Sequence, residues 1–199
     1  MLHLADDYLI MKTSKEKISK LIKYGAIIFI VYKIVDFSYY YSFNGNNDIH
    51  FLNIENTRNQ DYEEIFELNE FKNKYVYVTL NNRADWKDFR DDINAMEKLR
   101  KKFNGKNLVF LYTADDIAGV FNKYEWKKLI KKYDLKGYHI NLPQGYEWNL
   151  QYSKNTESVT TTTFPKYLIV SDKGKIIKKS ATRPKNTEKL IFELDSIMK

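Results

Sequence analysis

Apolar and polar positions alternate in recognisable periods along most of the second half of the chain. Tyr75–Leu80 is a β-rich run fit for a central strand. Trp86–Phe103 has Phe89, Ile93, Met96 and Phe103 at helical spacing, and Asn104-Gly105 marks its end. Leu108–Tyr112 is continuously apolar, as suits a strand buried on both faces. Tyr124–Tyr133 predicts a basic helix with Trp126, Leu129 and Ile130 inward, and the short strand Tyr138–Leu142 follows it, closed by Pro143. Lys166–Val170 and Lys175–Lys179 flank Ser171-Asp-Lys-Gly174 as a hairpin, and Asn186 or Thr187 is expected to cap a last helix over Glu188–Met198. A short helix over Tyr62–Glu70 precedes the whole series. Strand, helix, strand, helix, then a hairpin and a terminal helix predict an α/β sandwich with a mixed sheet.

The first sixty residues follow a different pattern. Residues 1–20 form a basic tail, and Met11–Lys23 holds five lysines and one glutamate. An apolar run from Tyr24 to Tyr32 leads into Lys33-Ile-Val-Asp36 and the tyrosines 39–41. A basic flank before an apolar run is the layout of a signal anchor. A bilayer span needs about 20 residues, so it would have to cover residues 21–41. Lys33 and Asp36 then fall inside the membrane, each costing about 2.5–3.5 kcal/mol near its centre unless paired or snorkelled. A cleaved signal peptide is disfavoured, because no small-x-small site follows the run. An uncleaved single-pass anchor is the expectation; a helix packed on its own domain or on a partner is the alternative. As an anchor, the Lys33/Asp36 pair calls for a membrane partner that shields it. Residues 42–60 are Asn-rich, carry the turn signal Asn44-Gly45, and read as a linker with a short strand at Ile49–Ile54.

Composition narrows the chemistry. The 199 residues are 43% hydrophobic and 16% aromatic, enough for a real core. The net charge of +7 comes from lysines interleaved with acids on helix faces, with no nucleic-acid-binding signature, so no nucleic-acid partner is expected. There is no cysteine, hence no disulfide and no thiol nucleophile. His3, His50 and His139 lack metal-ligand spacing. Asp85, Asp88, Asp91, Asp92, Asp115 and Asp116 could gather at one end of the sheet, but the dense loop pattern of calcium sites is absent. They read as solvated acids, and neither a metal nor another cofactor is expected.

Several segments resemble one family. Lys106-Asn-Leu-Val-Phe-Leu-Tyr112 with Thr113-Ala-Asp-Asp116, the Trp126-containing helix ending in Gly137-Tyr-His139, Thr163-Phe-Pro-Lys-Tyr-Leu-Ile-Val-Ser-Asp-Lys-Gly174 and Arg183-Pro184 are similar, in order and spacing, to thioredoxin-like proteins of the TlpA and peroxiredoxin-related (AhpC-TSA) group, Bacteroidetes-type. The resemblance covers residues 61–199 and implies a thioredoxin-like fold. It also implies that Pro165 follows a cis bond from Phe164, opposite the active-site loop. The family's Cys-x-x-Cys pair aligns, within about one residue, with Trp86 and Phe89. Thiol–disulfide exchange needs an attacking thiolate and a second sulfur, so that chemistry and thiol peroxidase chemistry are excluded.

Two readings of the replaced site stay open. Trp86 and Phe89 plug the old site while Asp85 caps the helix, or they stand exposed with Phe164 and Pro165 as a partner-binding surface. The resulting expectation is a redox-inactive binding or assembly protein, an accessory subunit of a membrane complex. It would sit in a bacterial inner membrane with its C-terminal domain in the periplasm and an integral-membrane protein as a possible partner. The alternatives are a soluble partner-binding module with a packed N-terminal helix and a carboxylate- or metal-dependent activity on the same scaffold.

Overall fold

A computed structural model of the chain describes residues 2–53, 62–81, 86–116, 120–143 and 166–199. It divides into two compact units, Met1–Phe43 and Asn44–Lys199.

The first unit is one helix, α1, over Leu2–Tyr41. The segment read as a tail before residue 21 continues the same helix, because Met11–Lys23 has neither proline nor glycine to stop it. The large apolar side chains Leu21, Ile22, Ile27–Val31, Ile34 and Val35 are all more than half exposed. The bilayer span expected at residues 21–41 is not found: no helix among the described residues is long and apolar enough to cross a membrane. Lys23, Lys33 and Asp36 interrupt the apolar run.

The second unit is a six-stranded mixed sheet. Its strands are β1 (Ile49–Leu52), β2 (Tyr75–Asn81), β3 (Leu108–Asp116), β4 (Gly137–Pro143), β5 (Lys166–Val170) and β6 (Ile176–Lys178), in the order β1-β4-β3-β2-β5-β6. The four strands from β1 to β2 run parallel, while β5 and β6 are antiparallel. Helices α2 (Trp86–Lys102) and α3 (Val120–Lys132) are the crossovers from β2 to β3 and from β3 to β4; α4 (Thr187–Ile197) closes the chain. Right-handed crossovers stepping the same way through a sheet put α2 and α3 on one face. This is the thioredoxin-like arrangement that the order of elements predicts.

The domain starts earlier than residue 61. β1 lies in the stretch read as a linker, yet it pairs in parallel with β4 from Ile49↔Gly137 to Leu52↔Ile140. Asn46 fixes the entry by accepting the backbone N–H groups of Asp48 and Ile49 on its side-chain oxygen, both at 2.9 Å. The short helix after it is a 3-10 turn, Tyr62–Glu67.

Strand parity divides the core. Val76, Val78 and Leu80 of β2 point to the face covered by Ile65, Phe66 and Phe71, together with Leu111, Ile140, Leu142, Leu168 and Val170. The other face carries one cross-strand row. Phe51 pairs with His139, His139 with Tyr112, Tyr112 with Thr79, and Thr79 with Tyr167. That row holds the polar groups that matter below.

Candidate functional site

The position that the family resemblance matches to the redox cysteines lies at the start of α2. Trp86 is the first helical residue, and Phe89 one turn later is fully buried, its ring edge-on to Tyr112 at 6.2 Å. Phe89 therefore offers no exposed contact; the reading of it as part of a partner-binding surface is corrected by its burial. Helical spacing explains why. Phe89, Asp92, Ile93, Met96 and Leu99 fall on one side of α2, continued by Phe103 just past its end, and all are buried. Phe164, Pro165 and the cis bond expected between them lie outside the described residues, as does Asp85.

A buried carboxylate sits one turn further on. Asp92 is inaccessible to solvent and accepts the hydroxyl of Tyr167 at 2.6 Å and the Arg183 guanidinium at 2.8 Å through Nη2 and 3.3 Å through Nε. Its second oxygen accepts the backbone N–H of Lys185 at 3.0 Å. Four donors satisfy a charge that burial would otherwise penalise heavily. Burial, then the Asp92 charge, push the Tyr167 hydroxyl well above the ordinary tyrosine range, so it acts as a fixed donor. Tyr77 stacks on Tyr167 with centroids 5.6 Å apart and donates to the Thr182 carbonyl at 2.7 Å. Glu193 of α4 accepts the Thr182 N–H at 2.8 Å and pairs with Lys178. The segment after β6 is thus tied to α2, β2, β5 and α4 by polar contacts. Sequence reading singled out Arg183-Pro184 but missed its partner, although Asp92 stands on the apolar side of α2.

His139 is equally enclosed. Its ring stacks on Tyr112 at 4.8 Å, and the rings of Phe51 and Trp126 pack at 5.7 and 6.2 Å. Nε2 lies 2.6 Å from the Leu135 carbonyl, which assigns the proton to that nitrogen. Burial lowers its pKa to about 3. A neutral imidazole locked in this way is a packing element. Among the described residues, His139 Nδ1, Trp126 Nε1 and Thr79 Oγ1 are buried polar atoms without a hydrogen-bond partner. His50 stacks on Tyr138 at 5.1 Å.

Asp91 is exposed and Asp92 is consumed by Arg183 and Tyr167, so neither is a free solvated ligand of a cluster, while Asp85 and the side chains of Asp88, Asp115 and Asp116 lie outside the described residues. No group of three His, Cys, Asp or Glu among the described residues is placed to hold a metal ion. In α1, Lys33 is exposed with its ammonium 5.5 Å from the Phe29 ring, and Asp36 is half-buried.

No family model matches the chain, and no curated protein matches it. Solved structures do. One, described as a thiol-disulfide oxidoreductase from Bacteroides vulgatus, is 26% identical, with 63% of this chain and 76% of that chain covered and a TM-score of 0.47. The thioredoxin domain of a thiol-disulfide oxidoreductase from the same species is 22% identical, covering 66% of this chain and 84% of that one at a TM-score of 0.49. The C-terminal domain of such a protein from Bacteroides thetaiotaomicron is 21% identical, covering 67% and 82% at 0.49. The chain is similar to structures described as thiol-disulfide oxidoreductases of Bacteroides, and it has no cysteine.

Proposed function

We propose that this is a redox-inactive thioredoxin-like domain that works by binding another protein, as an accessory subunit of a membrane complex. The observation that supports the reading is a fully buried Phe89, packed on Tyr112, at a position that the family resemblance matches, within about one residue, to a cysteine. A ring there supplies packing and no electron pair for disulfide exchange. The scaffold around it is well ordered by contacts of its own, among them the donors that hold Asp92. Retention of a fold with replacement of its chemistry supports a role in recognition.

The membrane part of the reading rests on α1. Its apolar side chains are exposed on all sides from Leu21 to Val35. A helix that is apolar all round is stable in water only when something covers it. Purification of the full chain from membranes of its source cells, after crosslinking, tests the proposal. A stoichiometric protein partner is expected, together with no reduction of insulin disulfides. Recovery of the chain alone would contradict it.

A further inference from the structure

We propose that the cleft between α2 and the turn entering β4 takes an acidic side chain of a protein partner, held between Arg100 and Lys136 over the Tyr112 hydroxyl. This rests on the reading of the chain as a binding protein, and names the surface and the chemistry of what it binds. The cleft has a volume of about 300 Å³, at the lower end for small-ligand sites and room for one or two side chains. One wall is α2, with Glu97 and Arg100; the other is the turn over residues 133–136. Ile93, Met96 and Leu135, all buried, give it an apolar floor.

Tyr112 of β3 completes that floor. It is only 3% exposed, with His139 stacked on its ring at 4.8 Å and Phe89 edge-on at 6.2 Å. The hydroxyl end is therefore the part that meets the cleft. Burial keeps this hydroxyl protonated, above the ordinary tyrosine range, and Arg100 and then Glu97 are the charges close enough to act on it. Among the described residues it has no hydrogen-bond partner. Buried hydroxyls are normally hydrogen-bonded, and this one is placed to donate to a ligand.

Arg100 and Lys136 approach from opposite walls, near enough for the Arg100 charge to weaken proton binding on Lys136. Each has carboxylates of its own. Arg100 donates to Glu97 Oε2 at 2.7 and 3.1 Å, and Lys136 pairs with Asp48 at 3.0 Å and Asp134 at 3.6 Å. Those pairs do not exhaust the charge. Residues 97–102 and 131–136 carry seven cations against two acids; with Asp48 counted, an excess of four positive charges remains. Lys132 stands 5.3 Å from the Tyr133 ring on the cleft wall. The Glu97 side chain is 45% exposed, so an incoming carboxylate can share Arg100 without displacing a buried group. Lysines in a last helical turn offset the helix dipole, but that role does not require Arg100 to face Lys136.

The apolar floor selects the occupant. A phosphate or a nucleic-acid backbone satisfies the cations and leaves Ile93, Met96 and Leu135 uncovered. An acidic residue beside an aliphatic one covers both, with complementary charge.

The test is fluorescence anisotropy of the full-length protein with labelled Glu-Glu-Leu-Glu-Glu and its Gln-Gln-Leu-Gln-Gln counterpart. The acidic peptide is expected to bind at least roughly tenfold tighter, and more weakly as salt rises. Arg100→Gln with Lys136→Gln weakens it roughly tenfold, and Tyr112→Phe, which keeps the stacked ring, about fivefold. Lys98→Gln with Lys102→Gln, exposed and on the far side of α2 by helical spacing, weakens it no more than about twofold. Circular dichroism shows each variant folded. Equal binding of the two peptides, no binding of either, or no effect of Tyr112→Phe overturns the proposal. So does a loss as large from the Lys98 and Lys102 pair, which marks a general attraction to the basic surface. Inorganic phosphate that displaces the peptide better than chloride of equal ionic strength overturns the assignment to a peptide. If the peptide fails to bind but crosslinking still recovers a stoichiometric partner, the cleft is wrong and the binding role stands. Peptide binding with no partner in cells contradicts that role and not the cleft.

Discussion

Arg183 places its guanidinium 2.8 Å from the carboxylate of Asp92, 91 residues earlier in the chain. Asp92 is fully buried, whereas the Arg183 side chain is about one-third exposed. The pair is therefore asymmetric: removing the arginine strands a charge with no route to water. Arg183→Leu is expected to lower the unfolding free energy by about 3 kcal/mol, read from urea denaturation. A loss below about 1 kcal/mol would show that Tyr167 and the Lys185 N–H suffice for the carboxylate.

Phe89→Ala removes a fully buried ring from beneath Tyr112. The expected cost is about 3–4 kcal/mol, the range for truncating a core phenylalanine. Phe89→Leu, which refills much of the volume, costs about half of that. Equal and small effects would mean that this turn of α2 is loosely packed and that Phe89 does not plug the vacated site.

His139 makes stability depend on pH with a defined sign. Burial lowers its pKa to about 3 in the folded protein, against the ordinary value near 6.5. Between those values the unfolded chain binds a proton that the folded chain does not. Stability therefore falls as pH drops below about 6.5, by at most about 1.4 kcal/mol per pH unit from this group. Urea midpoints between pH 7 and 4.5 report it, and His139→Gln flattens the dependence. An imidazole that titrates near 6.5 by NMR in the folded protein contradicts the assignment.

Gly137 opens β4 with φ at 136°, where a side chain is strained. A Cβ added there would stand 2.8 Å from the Phe110 carbonyl and 3.1 Å from the Tyr112 ring. Gly137→Ala should cost more than about 1 kcal/mol. Thermal denaturation checks it, and an unchanged melting temperature would place the β3–β4 pairing differently.

Periodicity made most of the domain readable, because β2, β3, α2, α3 and β5 each bury an apolar set of the expected spacing. β1 was harder. Ile49 is almost fully buried while His50 is exposed, and only the parallel pairing with Gly137–Ile140, far along the chain, makes four residues a strand. The cap of α4 also differs from its sequence signature. Asn186 holds the cap position without a side-chain bond, and Thr187 instead donates to the Pro184 carbonyl at 2.9 Å. The family resemblance suggested Trp86 and Phe89 as the cysteine positions, but the burial of Phe89 could not be read from it. Whether an aromatic at a helix start is plug or anchor depends on what lies beneath it, and Tyr112 comes from another strand.

The central claim is that this thioredoxin-like chain acts by holding a partner. Crosslinking the full-length protein in its source cells, followed by purification and quantitative mass spectrometry, tests it most directly. The account predicts one protein recovered in fixed stoichiometry. Recovery of the chain without a stoichiometric partner, or catalytic turnover of a small molecule by the purified chain, would contradict it.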